Sequence, residues 1–233
     1  MEKIEKPKPE KFESEIILAD FLSEDVKHII LSVPNEFKFI PGQYVSVILE
    51  KDDKNIRRPY SICSYPNHAN NIELCIKIVE NGLATPLIKE LKIGNKLEVL
   101  GPLGEFIIND ESKDKDIVFI SSGTGIGPFK SMIPWILKSK FKNKITLIAG
   151  YREIPLYDKE FKDLEKKFPN FVYKVALSSE GKRVQDVLNE NSNDLDKKAH
   201  YYLCGLKEMI NSVRGLLVDN RVEMSSIFSE KYD

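Results

Sequence analysis

The chain has 233 residues, enough for one large domain or for two of about 100–130 residues that each bury a core. Its apolar content of 42% is that of a soluble globular protein, and a formal net charge of −1 gives no global basic field for nucleic acid. No apolar run nears the roughly 20 residues that span a bilayer. Three scattered cysteines, Cys63, Cys75 and Cys204, have neither metal-site spacing nor the even count of a disulfide framework, which implies a reducing, cytoplasmic setting and no metal.

Residues 1–10 read as a solvated, flexible arm with no apolar core of a signal peptide. From residue 12 to about 100, short β-rich runs alternate with turns. The runs are 14–21, 26–33, 44–50, 58–63, 72–79 and 96–100; the turn signals are Pro34-Asn35, Pro41-Gly42, Asp52-Asp53 and Pro66-Asn67. This spacing predicts an antiparallel β-barrel or sandwich over residues 11–110. His28 in an apolar strand and His68 in a polar turn have no partner spaced for metal or triad work and read as structural.

One run is unusual. Arg57-Arg58-Pro59-Tyr60-Ser61-Ile62-Cys63-Ser64 clusters guanidinium, phenol and hydroxyl groups where a half-buried strand would simply alternate. If extended, it puts Arg58, Tyr60 and Ile62 on one face and Pro59, Ser61 and Cys63 on the other. That suits a strand end lying along a large ligand with an anionic part and a flat ring; a polar edge strand with a surface arginine suits it equally. Residues 83–91 carry Leu83, Leu87 and Leu91 at helical spacing, with Thr85 placed to cap and Pro86 in the first turn. Free N–H groups there can hold a phosphate, although a capped connector is the simpler reading of that stretch alone.

After the charged bend Asp110-Glu111-Ser112-Lys113-Asp114-Lys115 the pattern changes, and residues 111–233 form a second domain. An apolar strand at 116–120 runs into Ser121-Ser122-Gly123-Thr124-Gly125-Ile126-Gly127-Pro128-Phe129 and then a helix to about residue 140. Strand, glycine-rich turn and helix is the arrangement that wraps backbone N–H groups around a diphosphate. The third glycine falls one residue early for the usual dinucleotide fingerprint, and Gly150-Tyr151-Arg152 follow the next strand in place of an acid. Strands at 145–149, 171–177, 201–204 and 223–228 alternate with helices at 159–167, 184–189 and 206–218. The fold class is α/β, a doubly wound parallel sheet whose ligands belong beyond the strand carboxyl ends. Those ends are residues 123–127, Tyr151-Arg152, Ser178-Ser179 and Cys204-Gly205-Leu206.

A barrel with Arg58-Pro59-Tyr60-Ser61, a helix start at Gly82-Leu83-Ala84-Thr85, then Gly123-Thr124-Gly125-Ile126-Gly127-Pro128-Phe129 and Cys204-Gly205-Leu206-Lys207 resembles the ferredoxin–NADP⁺ reductase family over residues 12–233. The resemblance implies an FAD-binding barrel and a domain for NADP or NAD. Within the barrel it implies that Arg58 pairs with the FAD diphosphate, Tyr60 stacks on the flavin, Pro59 between them belongs to the cofactor-binding set, and Ser61 bonds near the flavin nitrogen that takes hydride. Cys75, Ile76 and Lys77 would line the flavin, and Leu83, Ala84 and Thr85 would hold its diphosphate. In the second domain residues 123–127 would hold the nicotinamide dinucleotide's diphosphate. Tyr151, Arg152, Ser178, Ser179, Gly205 and Leu206 would contact that nucleotide. Cys204 would lie beside the nicotinamide, with Glu230 and Tyr232 supplying the family's terminal carboxylate and aromatic. On their own residues, Cys204 reads as a buried small apolar side chain, and 229–233 as a frayed tail.

Ser179 stands where many NADP-specific relatives have an arginine, with Lys182, Arg183 or Arg152 as substitutes for the 2′-phosphate. The implied activity is hydride exchange between NAD(P)H and FAD, with single electrons passing to or from ferredoxin, flavodoxin or another carrier. Without four clustered cysteines, those electrons are expected to leave to a separate partner, and Lys54, Arg57, Lys89 and Lys92 could form a basic patch for one. Alternatives are a flavin reductase, an electron-transfer subunit of a larger complex, or a non-catalytic nucleotide-binding regulatory subunit.

Overall fold

The computed structural model describes residues 6–66, 69–190 and 195–232. Asn67 of the expected Pro66-Asn67 turn, His68 and the first five residues of the expected arm lie outside them. The chain divides into two compact units: residues 1–107 with 127–135, and residues 108–126 with 136–233.

In the first unit, β1 (Glu10–Ser23), β2 (Val26–Ser32), β3 (Tyr44–Lys51), β4 (Lys54–Ser61), β5 (Asn71–Lys77) and β6 (Lys96–Leu103) form an antiparallel sheet ordered β4-β3-β6-β1-β2-β5. The two edges meet through an antiparallel bridge between Ile62 and Leu74, and Cys63 N donates to Glu73 O at 2.8 Å. The sheet is thereby curled into a barrel, whose core includes Ile16, Ile29, Leu31, Val45, Val47, Ile62, Ile72, Leu74 and Val99. Each such aliphatic side chain contributes about 1.5–3 kcal/mol on burial. The strand from Glu10 begins inside the expected arm, because its backbone pairs with β6 from Gly101 downwards.

The helix predicted over 83–91 is shorter: α1 (Thr85–Glu90) is a six-residue helix with Pro86 in its first turn. Thr85 does not cap it. Ala84 holds the capping position, and the Thr85 hydroxyl is occupied by Val79, donating to Val79 O at 2.8 Å and accepting from Val79 N at 3.0 Å. Ile88 and Ala84 dock α1 into the barrel core.

In the second unit, β7 (Ile117–Ser122), β8 (Ile145–Tyr151), β9 (Phe171–Leu177), β10 (His200–Leu206) and β11 (Ile227–Tyr232) form an all-parallel sheet ordered β11-β10-β7-β8-β9. Continuous apolar runs such as that of β7 fit strands covered on both faces. The connecting helices are α2 (Gly127–Lys138), α3 (Asp158–Lys167), α4 (Val184–Asn189) and α5 (Lys207–Asp219). The amino-terminal part of α2 belongs to the first unit, and Pro134 lies inside this helix.

The last strand differs most from expectation. Residues 224–226 form a 3₁₀ turn and β11 runs to Tyr232, so the sequence 229–232 is not a frayed tail. It is fixed by parallel pairing with β10, Cys204 opposite Glu230 and Leu206 opposite Tyr232.

Candidate cofactor-binding sites

In the barrel unit, β4 alternates as its sequence implies. Ile56, Arg58 and Tyr60 are half-buried, Asn55, Arg57 and Pro59 are exposed, and Ser61 is buried. Tyr60 packs against the barrel core, and burial pushes its phenol up to about 12 against the opposing pull of Arg58. The Arg58 guanidinium spends one donor, Nη1 to Arg57 O at 2.8 Å. A planar fork whose other donors have no partner among the described residues is suited to a phosphate.

Across the bridge from β4, Cys75 and Ile76 are buried on β5, whereas Lys77 is exposed with its ammonium held by Asp25. The Cys63 and Cys75 thiols are neighbours, and burial followed by that proximity pushes Cys63 well above its usual range. On the same unit, Glu73 accepts from Lys130 Nζ at 2.6 Å with His28 Nε2 at 3.8 Å, and Ser131 Oγ donates to Ser64 O at 2.6 Å. Leu83 is 60% exposed beside buried Ala84, at the start of α1.

The second unit shows why its residues gather. The chain proceeds from β7 outward to β8 and β9, then returns to the other side of β7 for β10 and β11. The order therefore reverses between β7 and β10, and the crevice beyond their carboxyl ends is the expected ligand position. A 3₁₀ turn, Gly123–Ile126, leaves β7 there and feeds α2. Gly125 is pressed against β10: a Cβ on it would lie 2.6 Å from Cys204 C and 2.7 Å from Gly205 Cα. Gly205 has φ +136°, and Ser122 Oγ accepts from Leu206 N at 3.1 Å. The Ser121 hydroxyl is buried at the end of β7 with no hydrogen-bond partner among the described residues.

Cys204 is fully buried. Burial drives its thiol well above the usual range, the Glu230 charge reinforces this, and a hydrogen bond with Tyr232 acts against it. Residues 123–127, Cys204, Gly205, Leu206, Glu230 and Tyr232 thus gather around β7, β10 and β11. Two strands away, Ser179 N donates to Arg152 O at 3.0 Å, joining the ends of β8 and β9. Ser178 and Ser179 lie in a 3₁₀ turn, and Arg152 is exposed with Nε 3.6 Å from Glu153. Tyr151 stands apart from this edge, because it is buried with its hydroxyl donating to Leu156 O at 3.2 Å. Lys182 is engaged with Glu190 at 2.8 Å.

Ser122, Lys130 and Glu73 escaped sequence reasoning. Ser122 sits inside the glycine motif, where a serine before a turn carries no spacing signal. Lys130 and Glu73 are 57 residues apart, and only the fold pairs them.

Comparison with known proteins finds an oxidoreductase FAD-binding domain over residues 14–108 and an oxidoreductase NAD-binding domain over residues 119–215. The chain belongs to the ferredoxin–NADP reductase family. It is 32% identical over 91% of its length to the reductase component of phenol 2-monooxygenase from Pseudomonas sp., and 30% identical over 95% to the phenol hydroxylase P5 protein of Acinetobacter pittii. It spans 62% and 65% of those two relatives. A Spirulina ferredoxin–NADP reductase is 29% identical over 79% of this chain and 76% of that protein.

Among solved structures, an Amycolatopsis cytochrome P450 reductase matches at TM-score 0.87 and 22% identity, over 98% of this chain and 71% of that one. A ferredoxin–NADP⁺ reductase from Neisseria gonorrhoeae with bound FAD and NADP matches at TM-score 0.85 and 20% identity, over 95% and 98%. These two likenesses establish the shared fold.

The residues of this family member fit both groups. The uncommitted Arg58 fork and the half-buried Tyr60 ring suit an anionic, aromatic cofactor such as FAD. The glycine turn at the β7 and β10 reversal, next in sequence to the buried Ser121 hydroxyl that has no hydrogen-bond partner among the described residues, suits a dinucleotide diphosphate. No helix among the described residues is long and apolar enough to cross a membrane.

Proposed function

We propose that this chain is an FAD-dependent oxidoreductase that exchanges hydride with NADH or NADPH and passes single electrons to or from a ferredoxin, a flavodoxin or a similar carrier. The observation that carries the reading is the crevice at the strand-order reversal, where the glycine turn packs against Cys204 and Gly205 in a chain that also bears an FAD-binding barrel. Bound FAD supplies the two-electron to one-electron conversion, and the protein supplies binding, orientation and electrostatics.

Arg58 binds the FAD diphosphate through its open donors, Tyr60 presents its ring to the flavin, and Pro59 stiffens the strand between them. Ser61 holds a hydroxyl at the hydride-accepting nitrogen, which needs a donor that is neutral at every working pH. Cys75, Ile76 and Lys77 line the flavin, Lys77 by its backbone because its ammonium is committed to Asp25. Leu83, Ala84 and Thr85 bring main-chain N–H groups to the diphosphate. Gly123, Thr124, Gly125, Ile126 and Gly127 do the same for the nicotinamide dinucleotide.

Gly205 and Leu206 bound the nicotinamide end of that nucleotide, and Arg152, Ser178 and Ser179 bound its adenosine end. Tyr151 acts as a packed support beneath Arg152 rather than as a direct contact. Cys204 keeps a neutral, protonated thiol beside the nicotinamide, consistent with its raised pKa, and Glu230 and Tyr232 supply the carboxylate and the aromatic ring at that end. Two relatives are named as components or proteins of phenol-oxidising systems, which favours a separate electron acceptor over free flavin. Ser61→Ala tests the reading: FAD should be retained while anaerobic flavin reduction by NAD(P)H slows at least tenfold. Unchanged reduction kinetics would remove Ser61 from the chemistry.

A further inference from the structure

Lys27, on β2, is only 2% exposed. Its ammonium is aimed at one target, the carboxyl end of α1. Nζ donates to Ile88 O at 3.1 Å, to Lys89 O at 2.7 Å and to Leu91 O at 2.6 Å, and lies 5.4 Å from the centre of the Phe21 ring. A lysine ammonium has three donors, and three carbonyls take them. Ile88 O and Lys89 O lie in the last turn, at the negative end of the helix dipole; Ile88 O also accepts from Leu91 N at 3.2 Å, and Leu91 is the extended residue that follows the helix.

A six-residue helix is too short to persist on its own propensity. The amino-terminal end of α1 offers little help, with no side-chain cap and no acid in the first turn. Ala84 and Ile88, with Leu87 and Leu91 beside them, pack α1 on the barrel core, but apolar contacts of this kind are non-directional. Three charge-assisted bonds converging on one nitrogen do fix direction. An apolar side chain would fill the same space without the desolvation cost of a buried cation, so the charge is accounted for by geometry rather than by packing.

We infer that Lys27 is a positioning residue for FAD, clamping the carboxyl end of α1 so that Leu83, Ala84 and Thr85 at its other end are held in register for the diphosphate. The inference rests on the assignment of those three residues to FAD. Thr85 extends the effect backwards, because its hydroxyl ties the helix start to Val79 and so to the end of the β5 segment.

The test compares wild-type holoprotein with Lys27→Met, measuring FAD dissociation by flavin fluorescence after dilution and by dialysis. Activity with NAD(P)H is then titrated against added FAD. Lys27→Met should bind FAD at least tenfold more weakly, while kcat at saturating FAD and KM for NAD(P)H stay within about twofold of wild type. A merely structural lesion would not give that split. Lys27→Arg serves where Lys27→Met does not fold: a planar fork cannot converge one nitrogen on three carbonyls, so weaker FAD binding is expected there too. FAD affinity equal to wild type in the folded variant, or activity that stays lost at saturating FAD, would overturn the role of Lys27. A wild-type protein that binds no FAD would instead overturn the flavoprotein reading, and this inference with it.

Discussion

Replacing Gly205 with alanine probes the backbone packing that shapes the nucleotide crevice. At φ +136° an L residue is strained by about 1–3 kcal/mol. The added Cβ would also fall inside contact distance of Ser122 Oγ, 2.8 Å from Ser122 O and 3.0 Å from Ser122 N. Two of those atoms are backbone in the middle of a parallel sheet and cannot swing away, so overpacking adds about another 1–3 kcal/mol. Together these predict a loss of roughly 2–6 kcal/mol in urea unfolding followed by circular dichroism. Gly215→Ala is the matched control: it lies inside α5 with nothing within 4 Å of its new Cβ, and should stabilise by about 0.5–1 kcal/mol. A Gly205→Ala protein within about 1 kcal/mol of wild type would refute the close-packing argument.

Further predictions concern charge and polarity. His200 Nδ1 is 2.7 Å from Ser112 Oγ, itself 2.7 Å from the Tyr202 hydroxyl, which accepts from Asn109 N at 3.1 Å. Burial, then Lys115, lowers the His200 pKa against Glu111, so the native state favours neutral histidine. That stability is complete above the unfolded pKa of about 6.5 and is lost as pH falls through the lower folded value, at up to about 1.4 kcal/mol per pH unit. Urea midpoints from pH 7.5 to 5 should flatten in His200→Phe; an unchanged slope would contradict this. Glu73→Gln leaves Lys130, 9% exposed, without its carboxylate, and should cost about 2–3 kcal/mol in chemical unfolding. The figure is below that of a fully buried pair because Glu73 is 23% exposed. Arg58→Ala should weaken FAD binding about 10- to 100-fold by fluorescence titration, the worth of charge-assisted bonds to phosphate.

Much of the architecture was legible because periodicity reports burial. Residues 171–177 and 184–189 carry the same bounds in sequence and structure, since the first is a mostly apolar run and the second sets Val184, Val187 and Leu188 at helical spacing, each closed by polar neighbours. Long-range pairing is what local sequence could not express. β1 starts at Glu10 because β6 lies beside it, and β4 begins at Lys54 because the Asp52-Asp53 turn, with both residues at positive φ, closes a hairpin onto β3.

The terminal strand shows the same limit for the site. Ser229-Glu230-Lys231-Tyr232 has no apolar alternation of its own, and only pairing with β10 sets Glu230 and Tyr232 against Cys204 and Leu206. Thr85 looked like a cap by residue type, yet a hydroxyl bonds whichever backbone group is nearest, and that was Val79. Lys27 was invisible for a related reason. A lysine in an apolar strand reads as an outward-facing surface residue until the helix it caps is in place.

The most direct test of the central claim is anaerobic titration of the purified protein with NADH and with NADPH, following the flavin's visible absorbance, and then addition of oxidised ferredoxin or flavodoxin. The protein should be yellow and FAD-bound, be bleached by at least one nicotinamide nucleotide, and recover its colour as a carrier is reduced. A colourless protein that takes up no FAD, or a bound flavin that neither nucleotide reduces, would contradict that claim.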